Sequence, residues 1–476
     1  MTPPAKSPKN RSMIKYVSTR SGADEKTFEE VLLAGLAPDG GLYVPSKWPK
    51  LDIKSLKGKS YIETAESVMF PFVEGSIERS DFRKILEETY GIENFRHKDV
   101  VPLHKVDGNI YTLELFYGPT IAFKDVALQL LGRLFDHVLS KRNEHVTIVG
   151  ATSGDTGSAA IEGCYKSKHI DIFILFPNGR VSDVQRRQMT TIHAPNVHNI
   201  ALEGTFDDCQ TMVKAMFADE PFRKKINMSA VNSINWARIM AQIVYYVYAA
   251  LQLNAGEEDV SFVVPTGNFG NIFAAYAARQ MGVPIKTLAI ATNQNDILTR
   301  FFETGTMKMD GVHATMSPSM DIEISSNFER YLFDLVGRDA VKLKKMMEEF
   351  KATGKFSVPD ELIQKARKTF SAYRCNEPDT LNIMRDVHAK TGYTLDPHTA
   401  VGYAAAQSVE KLDGGKVVCL ATAHPAKFPD AVVKATGHHP PLPAHLSDLL
   451  SRKEKLIIKN NDIEEIKAFV LAQNHT

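Results

Sequence analysis

A repeated order of buried strand, small-residue turn and helix begins near residue 145 and constrains the fold more than any other feature. "HVTIVGATSGDTGSAAIEGCY" is an apolar strand followed by a polar loop and an Ala-rich helix start. The same order recurs in "IDIFILFPNGRVSDVQRRQM" and "DVSFVVPTGNFGNIFAAYAARQMG". Strands that alternate with helices predict an α/β fold with parallel sheets covered by helices. Ligands of such sheets bind at the carboxyl ends of the strands, where this chain concentrates Gly, Ser, Thr and Asn.

Composition narrows the class of protein. The chain has 476 residues, 43% of them hydrophobic, and a formal net charge of +1. This charge balance gives no support for a nucleic-acid or membrane-surface partner, and no apolar run reaches the roughly 18 residues of a membrane span. The four cysteines are scattered and form no CxxC pair, which favours a reducing, cytoplasmic setting.

The pattern along the chain predicts four parts. The polar, Pro-rich start predicts a disordered extension over residues 1–13. Short amphipathic segments and turns over residues 14–100 predict an N-terminal α+β domain, and the strand–helix repeat defines a core over residues 101–440. A "PPLP" linker then precedes residues 441–476, which we expect to pack on or beside the core.

Lys124 is an unusual residue in its surroundings. In "GPTIAFKDVALQLLGRLF" it shares a helical face with Leu128, Leu131 and Phe135. A lysine whose ammonium reaches water is the ordinary alternative. A desolvated lysine has a lowered pKa and becomes a nucleophilic amine, the form that reacts with an aldehyde to give an imine.

The turn in "VVPTGNFGN" is a candidate anion site. Glycines let the backbone approach a ligand closely, and the start of the following helix offers free N–H groups. A simple tight turn between strand and helix is the alternative. The candidates are Gly267, Asn268, Phe269, Gly270 and Asn271.

Two further segments carry clusters of polar side chains. "GATSGDTGS" suits a small carboxylate, although Asp and Thr also cap helices without binding anything. "VNSINWARI" combines an arginine with an amide and a hydroxyl, which suits a second oxyanion, although a surface arginine would look the same. Their candidates are Thr152, Ser153, Asp155 and Thr156 in the first segment, and Asn232, Ser233 and Arg238 in the second.

Other chemistries lack a motif. The chain contains no HExxH, no GxSxG, no GxGxxG and no GxxxxGK[ST]. Its fifteen histidines lack metal-ligand partners at sensible spacing, so no metal site is predicted.

Four stretches together resemble the threonine synthase family of fold-type II pyridoxal-phosphate enzymes. They are "GPTIAFKDVALQ", "ATSGDTGSAAIEG", "VNSINWARI" and "PTGNFGNIFAAY", strengthened by "LAPDGGLYVP" and "SPSMDIEISSNFER". The likeness spans about residues 14–430 and is closer to the bacterial and fungal branch than to the plant branch. It implies a fold like the tryptophan synthase β subunit, with a smaller mobile domain at about 130–230 within the core.

The resemblance also implies roles for the candidate residues. Lys124 would form the internal imine with pyridoxal 5'-phosphate and then act as the catalytic base. Gly267, Asn268, Phe269, Gly270 and Asn271 would hold the cofactor phosphate, and Thr422 would face the pyridine nitrogen. Thr152, Ser153, Asp155 and Thr156 would bind the substrate carboxylate, Asp155 would also flank the cofactor's phenolic oxygen, and Asn232, Ser233 and Arg238 would bind the substrate phosphate.

The implied reaction is the last step of threonine biosynthesis, conversion of O-phospho-L-homoserine and water to L-threonine and phosphate, by a monomer or homodimer. A phospholyase or dehydratase that releases a 2-oxo acid is the alternative, and a non-catalytic cofactor-binding protein comes third. Two positions depart from the family pattern. Asp155 stands where many fold-type II relatives have Asn, and Tyr117 stands where the family often has His before Gly-Pro-Thr.

Overall fold

The computed structural model describes residues 13–22, 24–229 and 233–475. Within these ranges the strands are β1 (Tyr16–Ser18), β2 (Tyr43–Pro45), β3 (Leu103–Asp107), β4 (Ile110–Glu114), β5 (Val146–Ala151), β6 (Ile170–Pro177), β7 (Val197–Glu203), β8 (Met228–Ser229), β9 (Val260–Pro265), β10 (Leu288–Thr292), β11 (Thr306–Lys308), β12 (Lys355–Ser357), β13 (Phe370–Arg374), β14 (Lys416–Ala421) and β15 (Ile457–Asn460).

The α-helices of the same ranges are α1 (Phe28–Ala34), α2 (Ile53–Leu56), α3 (Tyr61–Val73), α4 (Arg79–Tyr90), α5 (Lys124–Arg142), α6 (Asp155–Cys164), α7 (Asp183–Thr190), α8 (Phe206–Ala218), α9 (Glu220–Lys225), α10 (Trp236–Gln252), α11 (Gly270–Gln280), α12 (Ile297–Thr304), α13 (Phe328–Leu335), α14 (Ala340–Thr353), α15 (Asp360–Arg367), α16 (Glu377–Thr391), α17 (Pro397–Asp413), α18 (Pro429–Thr436) and α19 (Ile463–Gln473).

The larger sheet has six strands in the order β13-β10-β9-β14-β4-β3. All neighbours are parallel except β3 and β4, which form an antiparallel edge. Its central strand β9 is buried along its whole length, as expected for a strand covered on both faces. Helices α10 and α17 pack around this sheet, and α10 is buried on nearly every side. The predicted α/β fold with helix-covered parallel sheets is confirmed.

The smaller sheet has five strands in the order β15-β7-β6-β5-β8, all parallel. Strands β5 to β8 come from residues 146–229, within the segment for which we predicted a smaller domain. The fifth strand, β15, comes from the C-terminal segment, and α19 after it buries Ile466 and Val470 against the same core. The predicted tail therefore completes the smaller sheet.

The N-terminal part combines the β1–β2 pair with helices α1 to α4. Helix α3 packs directly on α10, and the Tyr16 hydroxyl donates to the Phe72 carbonyl within this contact. Apart from Met13, the extension predicted over residues 1–13 lies outside the described residues.

The two sheets bring their strand ends to a shared site. Strands β9 and β14 end beside the start of α5 in the larger sheet's half, and β5 leads into α6 in the smaller sheet's half. An ion pair between Lys124 and Asp155, the first residues of α5 and α6, joins the halves. The candidate site therefore lies at carboxyl strand ends, as the pattern predicted.

Candidate active site

Lys124 is the first residue of α5, shortly after the Gly-Pro-Thr turn, at the start of the apolar helix expected from sequence. The turn before it contains Ile121 at φ 54°, a left-handed conformation that breaks any helix running into Lys124. Its side chain is 12% exposed, and Nζ lies 3.2 Å from Oδ2 of Asp155. Burial lowers the pKa of Lys124, Asp155 opposes this shift, and the Lys427 ammonium adds to it. The amine is therefore poised to lose its proton.

Asp155 has partners at both of its carboxylate oxygens. Oδ2 accepts from Lys124 Nζ and from Ser319 Oγ at 2.9 Å, and Oδ1 accepts from Gln185 Nε2 at 2.8 Å. Lys427 Nζ lies 3.4 Å from Oδ1. Burial acts to raise the pKa of Asp155, but the two ammonium groups outweigh it and hold that pKa well below its usual range. Asp155 is thus an ionised acceptor.

This charge state bears on the roles predicted for Asp155, which stay predictions. An ionised carboxylate repels the carboxylate of a substrate, so Asp155 is unsuited to receive it. The same charge means that Asp155 has no proton to donate to a phenolic oxygen. Its contacts instead fit a residue that holds the Lys124 amine in place.

Thr152 supports the loop after β5. Its hydroxyl oxygen accepts from the backbone N–H groups of Gly154 and Gly157, both at 2.9 Å, and its side chain is buried. Thr152 therefore stabilises the loop, and the substrate-binding role expected from sequence stays a prediction. Ser153 is exposed and Thr156 is partly exposed, so these two hydroxyls stay accessible at the start of α6.

The turn over residues 267–271 exposes backbone at the start of α11. Phe269 adopts φ 62°, and its ring packs against Phe328 and Phe370, so only its backbone faces the turn. Gly267 admits no side chain, because a Cβ there would lie 2.8 Å from the Ser319 carbonyl oxygen. Gly267 and Asn268 are partly exposed. The turn has the shape of a backbone anion site.

Asn271 has an unpaired buried donor. The hydroxyls of Tyr245 and Tyr246 both donate to its Oδ1. Burial raises the pKa of both phenols, which keeps them protonated as donors. Asn271 Nδ2 is buried and has no partner among the described residues. The two tyrosines therefore orient an amide whose N–H₂ group is free for an anion.

Arg238 is a buried guanidinium without an ion-pair partner in the described part of the chain. It lies on the first turn of α10 with 4% exposure, and its Nε and Nη1 atoms have no hydrogen-bond partner there. Burial lowers its pKa to about 10, so it keeps its charge at neutral pH. The positive charge of Arg238 helps to lower the pKa of Lys124. Ser233 is partly exposed nearby in sequence, and Asn232 lies outside the described residues.

The segment from Ser317 to Arg330 connects these loops, a role that the sequence did not reveal although the segment contributed to the resemblance. Ser325 Oγ donates to the Gly267 carbonyl, and Asn327 Nδ2 donates to the carbonyls of Asn268 and Ser233. The 267–271 turn and the loop before Arg238 are therefore tied to each other through one side chain.

Thr422 and Lys427 follow β14. The Thr422 carbonyl accepts from the N–H of Phe123 at 2.8 Å, which fixes the strand end beside Lys124. The Thr422 hydroxyl makes no hydrogen bond within the described residues, so it is free to face a ring nitrogen. Lys427, in "HPAKF", was missed; its side chain is fully buried. Lys427 lies among apolar residues shortly after the apolar run "KVVCLA", and a lysine in such surroundings is the signal that could have found it.

Tyr117 is paired with Glu114. Its hydroxyl donates to Oε2 of Glu114 at 2.9 Å, and Tyr393 donates to the other oxygen of that carboxylate. Burial and the Glu114 charge raise the pKa of Tyr117. Tyr117 therefore serves to hold the turn before Lys124.

Residues 13–22, 24–229 and 233–475 contain no group of three or more His, Cys, Asp or Glu side chains arranged to hold a metal ion. Within the same residues, no helix combines the length and hydropathy that crossing a membrane requires.

Comparison with protein families identifies the chain. Family models match residues 15–90 (threonine synthase N terminus), 97–349 (pyridoxal-phosphate dependent enzyme) and 399–470 (threonine synthase, C-terminal). The threonine synthase of Pseudomonas aeruginosa is 56% identical over 461 residues, which cover 96% of this chain and 98% of the relative. The chain belongs to the threonine synthase family. The Schizosaccharomyces pombe enzyme is 45% identical, covering 88% of this chain and 89% of that relative.

Solved structures agree with this membership. A pyridoxal-phosphate-bound threonine synthase from Brucella melitensis superposes with a TM-score of 0.94 at 51% identity, covering 97% of this chain and all of that one. The yeast threonine synthase gives 0.92 at 41% identity, with 98% and 99% covered. The resemblance, the fold-type II architecture and the pyridoxal-phosphate dependence predicted from sequence are confirmed.

Proposed function

We propose that this chain converts O-phospho-L-homoserine and water to L-threonine and phosphate at the site around Lys124. The observation that carries the proposal is Arg238, because a buried guanidinium with unpaired Nε and Nη1 atoms needs an anion. A substrate phosphate supplies that anion, and family membership supplies the reaction.

The described residues fit pyridoxal 5'-phosphate. Its phosphate suits the backbone of residues 267–271 and the free Nδ2 of Asn271, its ring nitrogen suits the Thr422 hydroxyl, and its aldehyde suits the Lys124 amine. When bound, the cofactor lowers the energy of a negative charge at the substrate Cα by delocalising it.

Lys124 is the residue proposed to move the proton. With its pKa lowered by burial, the amine is able to take the proton from the substrate Cα and to return it at a later carbon. Asp155 keeps Nζ at one edge of the site by accepting from it. An ionised Asp155 also favours the return of the proton to this nitrogen.

The substrate's two anions have separate receivers in this proposal. Arg238, with Ser233 and Asn232, binds the phosphate and holds it while it leaves as an anion. The accessible hydroxyls of Ser153 and Thr156, with the N–H groups at the start of α6, bind the carboxylate. Closure of the smaller sheet's domain over both would exclude water until the phosphate has left.

The setting proposed for this activity is the cytoplasm, and the assembly a monomer or homodimer. All four cysteines are buried free thiols, which suits a reducing compartment.

The test is a product assay on the purified holoenzyme. Supplied with O-phospho-L-homoserine, it should release L-threonine and phosphate in equal amounts, with little 2-oxobutyrate. Supplied with O-phospho-L-threonine, it should release much less phosphate. A phospholyase would instead produce 2-oxobutyrate as the main product, and that result would overturn the proposal.

A further inference from the structure

Two buried lysines share the carboxylate of Asp155. Lys124 Nζ lies 3.2 Å from Oδ2, and Lys427 Nζ lies 3.4 Å from Oδ1. The Lys427 side chain is 0% exposed and that of Lys124 is 12% exposed. Two ammonium groups with one carboxylate leave an excess positive charge in a region of low polarity, which favours the loss of one proton.

The partners of the two amines decide which proton is lost. Lys427 Nζ donates to the Thr120 carbonyl and to Gln188 Oε1, both at 2.8 Å, and it forms an ion pair with Asp155 at 3.4 Å. Two of its three N–H donors thus have acceptors, in addition to the ion pair. Lys124 Nζ has one hydrogen-bond partner among the described residues, Asp155. Deprotonation of Lys124 therefore gives up fewer hydrogen bonds.

The other charged groups around this cluster do not all act in the same direction on Lys124, since whatever ionises Asp155 favours the Lys124 ammonium. Arg238, on α10, is positive and opposes protonation of Lys124. His398, on α17, acts on Asp155 and favours its ionised form. Asp125, on α5, is engaged by the backbone N–H and the hydroxyl of Thr120, and neither lysine forms an ion pair with it in the described structure.

We propose that Lys427 is a positioning residue for Lys124. Its buried ammonium anchors the Asp155 carboxylate and the Gly-Pro-Thr turn through Thr120, and it repels a second buried ammonium, so that Lys124 is the amine that gives up its proton. The inference rests on the proposed function only in taking Lys124 as the reactive amine.

The test measures the reactivity of the Lys124 amine in the full chain freed of cofactor. Cyanate carbamylates neutral amines, so the rate of modification as a function of pH gives the midpoint of deprotonation, followed by peptide mass spectrometry. In the unaltered chain, Lys124 should have a midpoint below that of exposed Lys168, and Lys427 should stay unmodified. In Lys427→Gln the Lys124 midpoint should rise by about one pH unit, since the opposing charge is gone.

Two variants separate charge from structure. Lys427→Arg keeps the charge and should leave the Lys124 midpoint near that of the unaltered chain. Gln188→Leu removes one acceptor of Lys427 and no charge, and it should do the same. A merely structural Lys427 would give equal shifts in Lys427→Gln and Gln188→Leu, which would overturn the proposal.

The result stays decisive if Lys427→Gln fails to fold. In that case Lys427→Met, which also removes the charge but leaves an apolar side chain of similar length, takes its place with the same expected rise, and an unchanged Lys124 midpoint overturns the proposal. Since no substrate is present, the outcome is independent of which product the holoenzyme makes.

Discussion

The loops that follow β5 and β9 both join a buried parallel strand to a helix, yet their buried polar groups differ. After β5, the Thr152 hydroxyl accepts two loop N–H groups and the Asp155 carboxylate is bonded at both oxygens. After β9, Asn271 keeps an unpaired Nδ2, and on the adjoining α10 Arg238 keeps two unpaired nitrogens, within the described residues. Among the described residues, the polar groups of Thr152 and Asp155 after β5 have hydrogen-bond partners, whereas Asn271 and Arg238 each keep unpaired donors.

This difference distinguishes groups that bind a ligand from groups that hold the site in place. A buried donor without a partner costs about 1–3 kcal/mol, so an anion placed against Asn271 or Arg238 recovers that cost on binding. Asp155 and Thr152 have no such deficit, and their bonds instead fix where the Lys124 amine lies.

Lys124→Ala removes the amine that Asp155 holds in place and that is proposed to take the substrate proton. We expect kcat for L-threonine formation to fall by about 10³-fold or more, because no other described side chain replaces the base. The visible absorbance of the lysine-bound cofactor should also disappear. A variant that retained both the absorbance and the turnover would refute the assignment of Lys124.

Asn271→Asp replaces the free donor by an acceptor while keeping an oxygen for the two tyrosine hydroxyls. The affinity of the full chain for pyridoxal phosphate, measured by titration of the cofactor-free protein, should fall by about 10- to 100-fold. The matched control is Tyr246→Phe, which removes one orienting hydroxyl and should cost less. Equal affinity in Asn271→Asp and the unaltered chain would show that Nδ2 does not face the phosphate.

Thr152→Val tests the completed side of the comparison. Two loop N–H groups lose their acceptor, so the free energy of unfolding in denaturant should fall by about 1–3 kcal/mol. Ser153→Ala, one residue along, should change it by less than about 0.5 kcal/mol but raise KM for the substrate. The reverse ranking of the two variants would contradict the roles given to them.

The sequence predicted the local parts of this site better than its long-range contacts. The turns after β5 and β9 are visible as small polar residues between apolar strands and helices, whereas Thr422 entered only through the family resemblance. The contacts of Lys427 with Thr120 and of Asn327 with Ser233 join residues far apart in the chain. The hydrophobic periodicity of the sequence predicts local elements and does not predict such contacts. The roles of Thr152 and Asp155 depend on which hydrogen atoms and charges surround their oxygens, which residue type alone does not determine.

Glu162, on the same helix as Asp155, shows what burial does without pairing. Burial raises its pKa from 4.5 to about 7, and no described residue forms an ion pair with it. The folded state therefore favours the neutral form, and this stabilisation is full below about pH 4.5 and lost as the pH rises through about 7. Glu162→Gln should raise the free energy of unfolding by about 1–2 kcal/mol at alkaline pH and change it little at acidic pH. A pH-independent difference between variant and unaltered chain would contradict this.

The unpaired guanidinium of Arg238 is proposed to bind the substrate's phosphate, and Arg238→Gln tests this role most directly. We expect kcat/KM for O-phospho-L-homoserine to fall by about 10²-fold or more, with cofactor content unchanged by absorbance. The unfolding free energy without substrate should hold or rise, because an unpaired buried charge is gone. An unchanged kcat/KM, or a loss that accompanies loss of the cofactor, would contradict the account.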